Sequence, residues 1–175
     1  NLAFTVLENY HDAEALILAT EHASVRESAR HYAKKVAEIA VDQTGLINLK
    51  DLAAKITEKT VLISVAIVNN ELGTIQPLSE IAEIIRRTRE QRLAAGNLTP
   101  LYLHSDASQA ASLLDLSVAR LGVDLLTLNS AKVYGPKGIG ALYISRGVRL
   151  QPISYGGGQE MGLRSGTENV PLLMG

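Results

Sequence analysis

The sequence contains no cysteine, which excludes disulfides, thiolate metal sites and a thiol nucleophile within its 175 residues. Its formal net charge of −1 leaves no field to gather nucleic acid or an anionic membrane surface, so direct binding to either is not expected. No apolar run reaches the length of a membrane span, and the opening residues lack the basic and apolar regions of a signal peptide. The histidines, His11, His22, His31 and His104, show no recognised ligand spacing, which argues against metal catalysis. No Gly-x-Gly-x-x-Gly follows a first strand. Gly135-Pro-Lys-Gly138-Ile-Gly140 has another spacing and precedes a strand, which argues against a nicotinamide dinucleotide domain. An initiating methionine is missing too. Asn1-Leu-Ala-Phe reads as the inside of an uncapped helix, and Pro171-Leu-Leu-Met before Gly175 as the start of another. The expectation is an internal fragment of a longer chain.

What is present is a globular composition, 46% hydrophobic and 20% charged, in a length that suits one α/β domain. Strands are expected at Glu14–Ala19, Ala37–Val41, Thr60–Val68, Leu101–His104, Val123–Leu128 and Ile139–Ile144. The nearly unbroken apolar run from Thr60 suits a strand buried on both faces of a parallel sheet. Helices are expected from Ser24, as N-cap, to about Lys35, from Asn48 through Ile56, and from about Ser79 to Ala94. The last places Ile81, Ile84 and Ile85 on one face and runs from Glu80 and Glu83 to later arginines, in the order the macrodipole favours. The alternation predicts a central, mostly parallel (mixed) sheet with helices on both faces. Ligands in such sheets sit beyond the carboxyl ends of the strands. His22, Asn70, Asp106 and Lys132 each follow a predicted strand closely, so one edge of the sheet can gather all of them.

Lys132 closes an apolar stretch and opens a glycine-marked turn, Lys132-Val-Tyr-Gly135-Pro136-Lys137-Gly138. A buried strand delivering a lysine into a turn is a way to desolvate an amine, and a neutral amine attacks an aldehyde to form a Schiff base. Asp106 follows another apolar strand, in His104-Ser-Asp106-Ala-Ser-Gln109. A lysine for an aldehyde and a carboxylate for a ring nitrogen are the groups a pyridoxal phosphate site needs most. Alone, Asp106 is more simply a solvated or capping acid. Gln109 and Asn70 carry amides for a phenolic oxygen, and equally suit turn chemistry. His22 can cover one ring face or be a polar loop residue. Ser165, Thr167 and Asn129 are candidates for phosphate. Lys137 and Arg164 can balance its charge but read more simply as surface charges.

The segments Thr20-Glu-His-Ala-Ser-Val-Arg-Glu27, Val68-Asn-Asn-Glu-Leu-Gly-Thr-Ile-Gln-Pro77, His104-Ser-Asp-Ala-Ser-Gln109, Ala131-Lys-Val-Tyr-Gly-Pro-Lys-Gly-Ile-Gly-Ala-Leu-Tyr143 and Gly156–Val170 together resemble the cysteine desulfurases of the NifS/IscS type. These belong to the class V aminotransferase group of fold-type I pyridoxal phosphate enzymes. The resemblance implies that Lys132 carries pyridoxal 5'-phosphate as a Schiff base and later moves protons, and that Asp106 pairs with the ring nitrogen. It implies that Gln109 and Asn70 lie near the phenolic oxygen and that His22 stacks on the ring. Thr167 would reach the phosphate of a neighbouring subunit's cofactor, which implies a homodimer. L-cysteine would be the substrate and become alanine. Its sulfur would pass as an enzyme persulfide to a sulfur-acceptor or iron–sulfur scaffold protein, or toward tRNA thiolation, in a cytoplasmic setting.

Departures from the family pattern stand at Asn129 and Ala131, usually Ser and His, and at Met161, usually Arg. Asn129 still offers a donor toward phosphate; Ala131 offers no side-chain bond. The family's phosphate-binding Gly/Thr turn would precede this chain. The small domain that carries the sulfur-accepting cysteine and the carboxylate-binding arginine would follow it. The chain thus reads as a partial large cofactor-binding domain, expected to be unable to complete desulfuration alone. Other readings are another class V enzyme (an aminotransferase, a selenocysteine lyase or a kynureninase) or a non-catalytic remnant of the fold.

Overall fold

The computed structural model describes all of residues 1–175. Six strands form one sheet: β1 (Glu14–Leu18), β2 (Lys35–Ile39), β3 (Thr60–Ser64), β4 (Tyr102–Asp106), β5 (Leu125–Asn129) and β6 (Gly140–Ile144). Their order is β2-β1-β3-β4-β5-β6. All neighbours are parallel except the β5–β6 pair, which is antiparallel. The sheet is therefore mixed and mostly parallel, as its sequence predicts. The chain runs outward from β1 to β2 and then crosses back to β3, so a topological switch point lies between β1 and β3.

Both faces are covered. On one face α2 (Leu49–Lys55) and α3 (Leu78–Ala94) bury Leu52, Leu78, Ile81 and Ile85 against Leu16, Leu18, Ile63 and Leu103. On the other a 3₁₀ helix over Leu2–Asn9 and α1 (Ala23–Tyr32) bury Phe4, Val6, Leu7, Val25 and Ala29 against Ala15, Ile17, Leu62 and Leu125. This two-sided cover is why every residue of β3 is buried. Two short helices, α4 (Val118–Leu121) and α5 (Val170–Met174), complete the elements. No helix is long and apolar enough to cross a membrane.

β2 and β5 begin two residues from their expected starts, at Lys35 and Leu125, and three further boundaries move for a physical reason. The first α-helix is capped by His22, not by Ser24: the His22 Nδ1 accepts from the Ser24 N–H at 3.2 Å. That helix ends at Tyr32 rather than near Lys35, which already starts β2. The run from Thr60 leaves the ladder after Ser64 rather than at Val68. Beyond that point β1 has ended; the chain stays paired to β4, by Val65 N–H to His104 O (3.0 Å) and Ile67 N–H to Asp106 O (3.1 Å), while the Ala66 N–H between them goes to the Glu21 carboxyl. Continued hydrophobicity there reports burial, not strand.

A polar cross-link lies inside the sheet. His104 is 2% exposed, with Nδ1 2.8 Å from Ser64 Oγ on β3 and Nε2 2.9 Å from Thr127 Oγ1 on β5. Phe4 meets its ring edge-on at 5.6 Å. Burial pushes this imidazole down to about 4, so the folded state favours the neutral ring. A histidine whose folded value lies below its unfolded one adds stability that is complete above about 6.5 and lost as pH falls toward 4. We expect the unfolding free-energy difference between the protein and His104→Gln to narrow by on the order of 3 kcal/mol across that interval in urea titrations. A difference independent of pH would show that His104 is not held neutral.

Candidate active site

The carboxyl ends of β1, β3, β4 and β5 converge on a cavity of about 480 Å³ beside the switch point. His22, Asn70, Asp106, Gln109, Asn129 and Lys132 all line it. Thr20 and His22 come from the turn after β1, Asn70 from the turn after β3, Asp106 and Gln109 from the end of β4, and Asn129 and Lys132 from the end of β5. The expectation that one sheet edge gathers His22, Asn70, Asp106 and Lys132 is met, and Gln109 and Asn129 join them there.

The local geometry explains how each is held. Asp106 is the last residue of β4 and half-buried, and its Oδ1 accepts the Ser108 N–H at 2.9 Å. That bond fixes the carboxyl on the cavity wall. The helix-cap bond fixes His22, and its Nδ1 also lies 2.8 Å from Ser24 Oγ. Because Nδ1 accepts from a backbone N–H, the ring proton of neutral His22 belongs on Nε2. Asn69, not Asn70, carries the turn chemistry: its Oδ1 accepts from the N–H groups of Glu71 (2.9 Å) and Leu72 (2.8 Å). Its Nδ2 donates to Thr20 O at 2.9 Å, tying the turns after β1 and β3 together. This leaves the Asn70 amide for the cavity.

Asn129 caps a single 3₁₀ turn over Ser130–Lys132, accepting the Ala131 N–H on Oδ1 at 3.0 Å. Its Nδ2 remains a donor, so the substitution of Asn for Ser keeps a hydrogen bond available at this edge. The turn then folds tightly, with both Val133 and Gly135 N–H on Ser130 O. A Cβ on Gly135 would meet Ser130 Oγ, and the Ser130 side chain would have to rotate away to admit it. Gly140 starts β6 so close to β5 that a Cβ would meet Leu128 O at 2.6 Å. The lysine turn is thus held between a tight turn at Gly135 and a glycine at 140 that admits no side chain.

Two expectations are corrected or relocated. The buried, desolvated lysine does not appear: Lys132 is exposed, at the end of a strand whose last residues, Thr127 to Asn129, are only half-buried. The apolar run ahead of it predicts burial of β5, not of the turn that follows. Thr167 lies outside the cavity, exposed on the loop after Gly156. Lys137, Arg164 and Ser165 do not line it either. Ser165 is instead committed within its own loop, its Oγ accepting the Gly158 N–H and its carbonyl accepting from Ser154 Oγ.

The structure adds residues that the motifs did not single out. Thr20, Ser108 and Thr127 line the cavity, and Glu21 lies behind it. Strand alternation carried a signal for Thr127, since it shares a sheet face with Asn129 on β5. Chemically the site offers a primary amine (Lys132), a carboxylate (Asp106), the amides of Asn70, Gln109 and Asn129, and an imidazole (His22) around one concavity. That is a set for holding and protonating a small anionic ring compound, with an amine available for a carbonyl.

The whole chain, residues 1–175, matches the model of the family described as aminotransferase class-V. Cysteine desulfurase IscS 1 of Archaeoglobus fulgidus is 46% identical over 163 residues, 91% of this chain and 40% of that protein. The mitochondrial cysteine desulfurase of Saccharomyces cerevisiae is 46% identical over 89% of this chain and 30% of its own length. The chain therefore spans well under half the length of these curated relatives. Among solved structures, a NifS-like protein superposes with a TM-score of 0.86 at 34% identity, covering 97% of this chain and 45% of that one. A structure described as SspA in complex with cysteine gives 0.84 at 34% identity, covering 99% and 49%.

Proposed function

The chain belongs to the aminotransferase class-V family, and from that premise we propose that it forms the cofactor-binding core of a pyridoxal phosphate-dependent cysteine desulfurase. The observation that carries this reading is the convergence of Lys132 and Asp106 on one cavity, from the ends of adjacent strands, with His22, Asn70 and Gln109 around them. The donor set fits the group. Lys132 supplies the amine for its aldehyde, Asp106 the counter-charge for a protonated ring nitrogen, and the Asn70 and Gln109 amides donors for its phenolic oxygen. His22 lies over the cavity with its ring orientation fixed by the helix cap, suited to cover the ring. Thr20 Oγ1 is buried without a protein partner on the cavity wall, a hydroxyl still free to bond.

When bound, pyridoxal phosphate supplies an electron sink for the bonding electrons released at a substrate's α-carbon. The chain's own work is then positional and protonic. Asp106 keeps the ring nitrogen charged, His22 excludes water from one face, and the Lys132 amine at the mouth takes and returns a proton at the reacting carbon. L-cysteine is the substrate class we assign, on the names of the relatives and of the cysteine complex. Further elements of this reading are a homodimer, in which exposed Thr167 faces the partner's cofactor phosphate, and a protein acceptor for the sulfur.

The test is titration with pyridoxal phosphate followed by visible absorbance. The protein is expected to develop a long-wavelength band that L-cysteine perturbs and L-alanine leaves unchanged. Asp106→Asn keeps the Ser108 contact but removes the counter-charge, and should weaken retention about 10-fold or more, the size of a lost charge-assisted bond. Equal retention by Asp106→Asn would overturn the role of Asp106.

A further inference from the structure

Directly behind the cavity wall lies a carboxyl that the proposed chemistry does not use. Glu21, between Thr20 and His22, is 2% exposed. Its Oε1 accepts the Ala66 N–H at 2.5 Å, across 45 residues of sequence. Its Oε2 is buried and has no protein partner. An ionised carboxylate with one bare, buried oxygen carries the full cost of charge desolvation, whereas a proton on that oxygen makes it a neutral acid at far smaller cost. Two charged groups face it: Asp106 at the end of β4, which repels a second negative charge, and Arg26 on α1, which attracts one. Burial, the largest influence, pushes the carboxyl up to about 8 despite the opposing Ala66 bond.

We propose that Glu21 and Asp106 form a divided carboxyl pair, Glu21 neutral at physiological pH and Asp106 the lone anion, with Glu21 serving as a positioning residue that straps the His22 turn to the exit of β3. The strap is geometric: Thr20, His22 and Ala66 all line the cavity, and the Glu21 carboxyl bonds the Ala66 backbone, beside the Asn69–Thr20 bond that ties the same two turns. Neutrality keeps a second negative charge away from Asp106. The cavity then presents one anion to a cationic ring rather than two that would compete for its proton. This benefit to the ring rests on the cofactor reading above; the charge state of Glu21 does not.

The direct test is the protein labelled with carbon-13 at its glutamate carboxyls, titrated by NMR without cofactor. One carboxyl resonance is expected to titrate near pH 8, far above the others, and to be absent in Glu21→Gln. Stability gives a second readout. A carboxyl raised in the folded state contributes stability that is complete below about 4.5 and lost as pH rises through about 8. His104 acts in the opposite sense only below about 6.5. The Asn1 amino group, lowered by burial, also gains stability with pH toward 8, equally in the protein and in Glu21→Gln. Between 6.5 and 9, therefore, the protein should lose stability toward urea relative to Glu21→Gln. A neutral amide should also rescue position: Glu21→Gln is expected to retain pyridoxal phosphate like the parent protein at pH 7, and Glu21→Asp, too short to reach Ala66, to retain it less well. If every glutamate titrates in the ordinary range, Glu21 is ionised and the proposal falls, even if Glu21→Gln fails to fold; a stability difference from Glu21→Gln that does not change between 6.5 and 9 would overturn it as well. If those results hold but no cofactor is retained by any form, the pair stands and the cofactor reading fails instead.

Discussion

Replacing Lys132 with alanine is expected to abolish covalent capture of pyridoxal phosphate. Borohydride reduction of the loaded protein should leave a stable adduct on the peptide containing Lys132, and none after Lys132→Ala. The argument rests on placement, since an exposed lysine is not by itself selective. Lys132 lines the cavity, whereas Lys137, in the same loop and also exposed, does not. The clamped turn holds the amine at the strand end adjacent to Asp106, where β4 and β5 pair in register through Asp106 and Thr127. A reagent anchored by its ring nitrogen at Asp106 therefore meets Lys132 first, and proximity of this kind dominates selectivity among chemically equal amines. Adducts spread over Lys137 and the surface lysines, undiminished by Lys132→Ala, would mean that the cavity does not direct the reaction.

The second large effect is on stability and lies at the opposite end of the sheet. Arg92→Ala is expected to destabilise the protein by on the order of 3–5 kcal/mol, because a buried charged donor is removed from several acceptors at once. Arg92, 7% exposed near the end of α3, donates from Nη1 to Thr99 O (3.0 Å) and Pro100 O (3.1 Å). From Nη2 it donates to Thr57 O (2.6 Å) and Thr60 O (2.9 Å). The guanidinium thus joins the entry of β3 to the entry of β4. Lysine cannot reproduce the planar fork, so Arg92→Lys should recover little of the loss. Cofactor retention per folded molecule should be unchanged, because the cavity lies at the carboxyl ends of the same strands. Urea midpoints read the first effect and absorbance titration the second.

The strand–helix alternation, the buried third strand and the gathering of His22, Asn70, Asp106 and Lys132 at one edge are legible in the sequence. Each depends on local pattern: period, apolar runs, and polar residues placed just after strands. What was not legible depends on contacts distant in sequence. The end of β3 is set by where β1 stops and by Glu21 taking the Ala66 N–H. The helix cap fell to His22 because an imidazole nitrogen can accept from a backbone N–H two residues on, a role that residue preference assigns to Ser24. Burial of Lys132 was inferred from the strand ahead of it, but β5 pairs near the sheet edge and its last residues are open on the cavity side. Nothing in the local sequence singles out Glu21. Only the fold shows that its carboxyl is enclosed, with one oxygen paired and the other not.

The measurement that bears most directly on the central claim is a crystal structure of this chain grown with pyridoxal phosphate. The account predicts the ring in the cavity beside the switch point, continuous density to Lys132 Nζ, the ring nitrogen against Asp106 and His22 over one face. A ring bound elsewhere, or a cavity that holds it with Asp106 turned away from the ring nitrogen, would contradict the account.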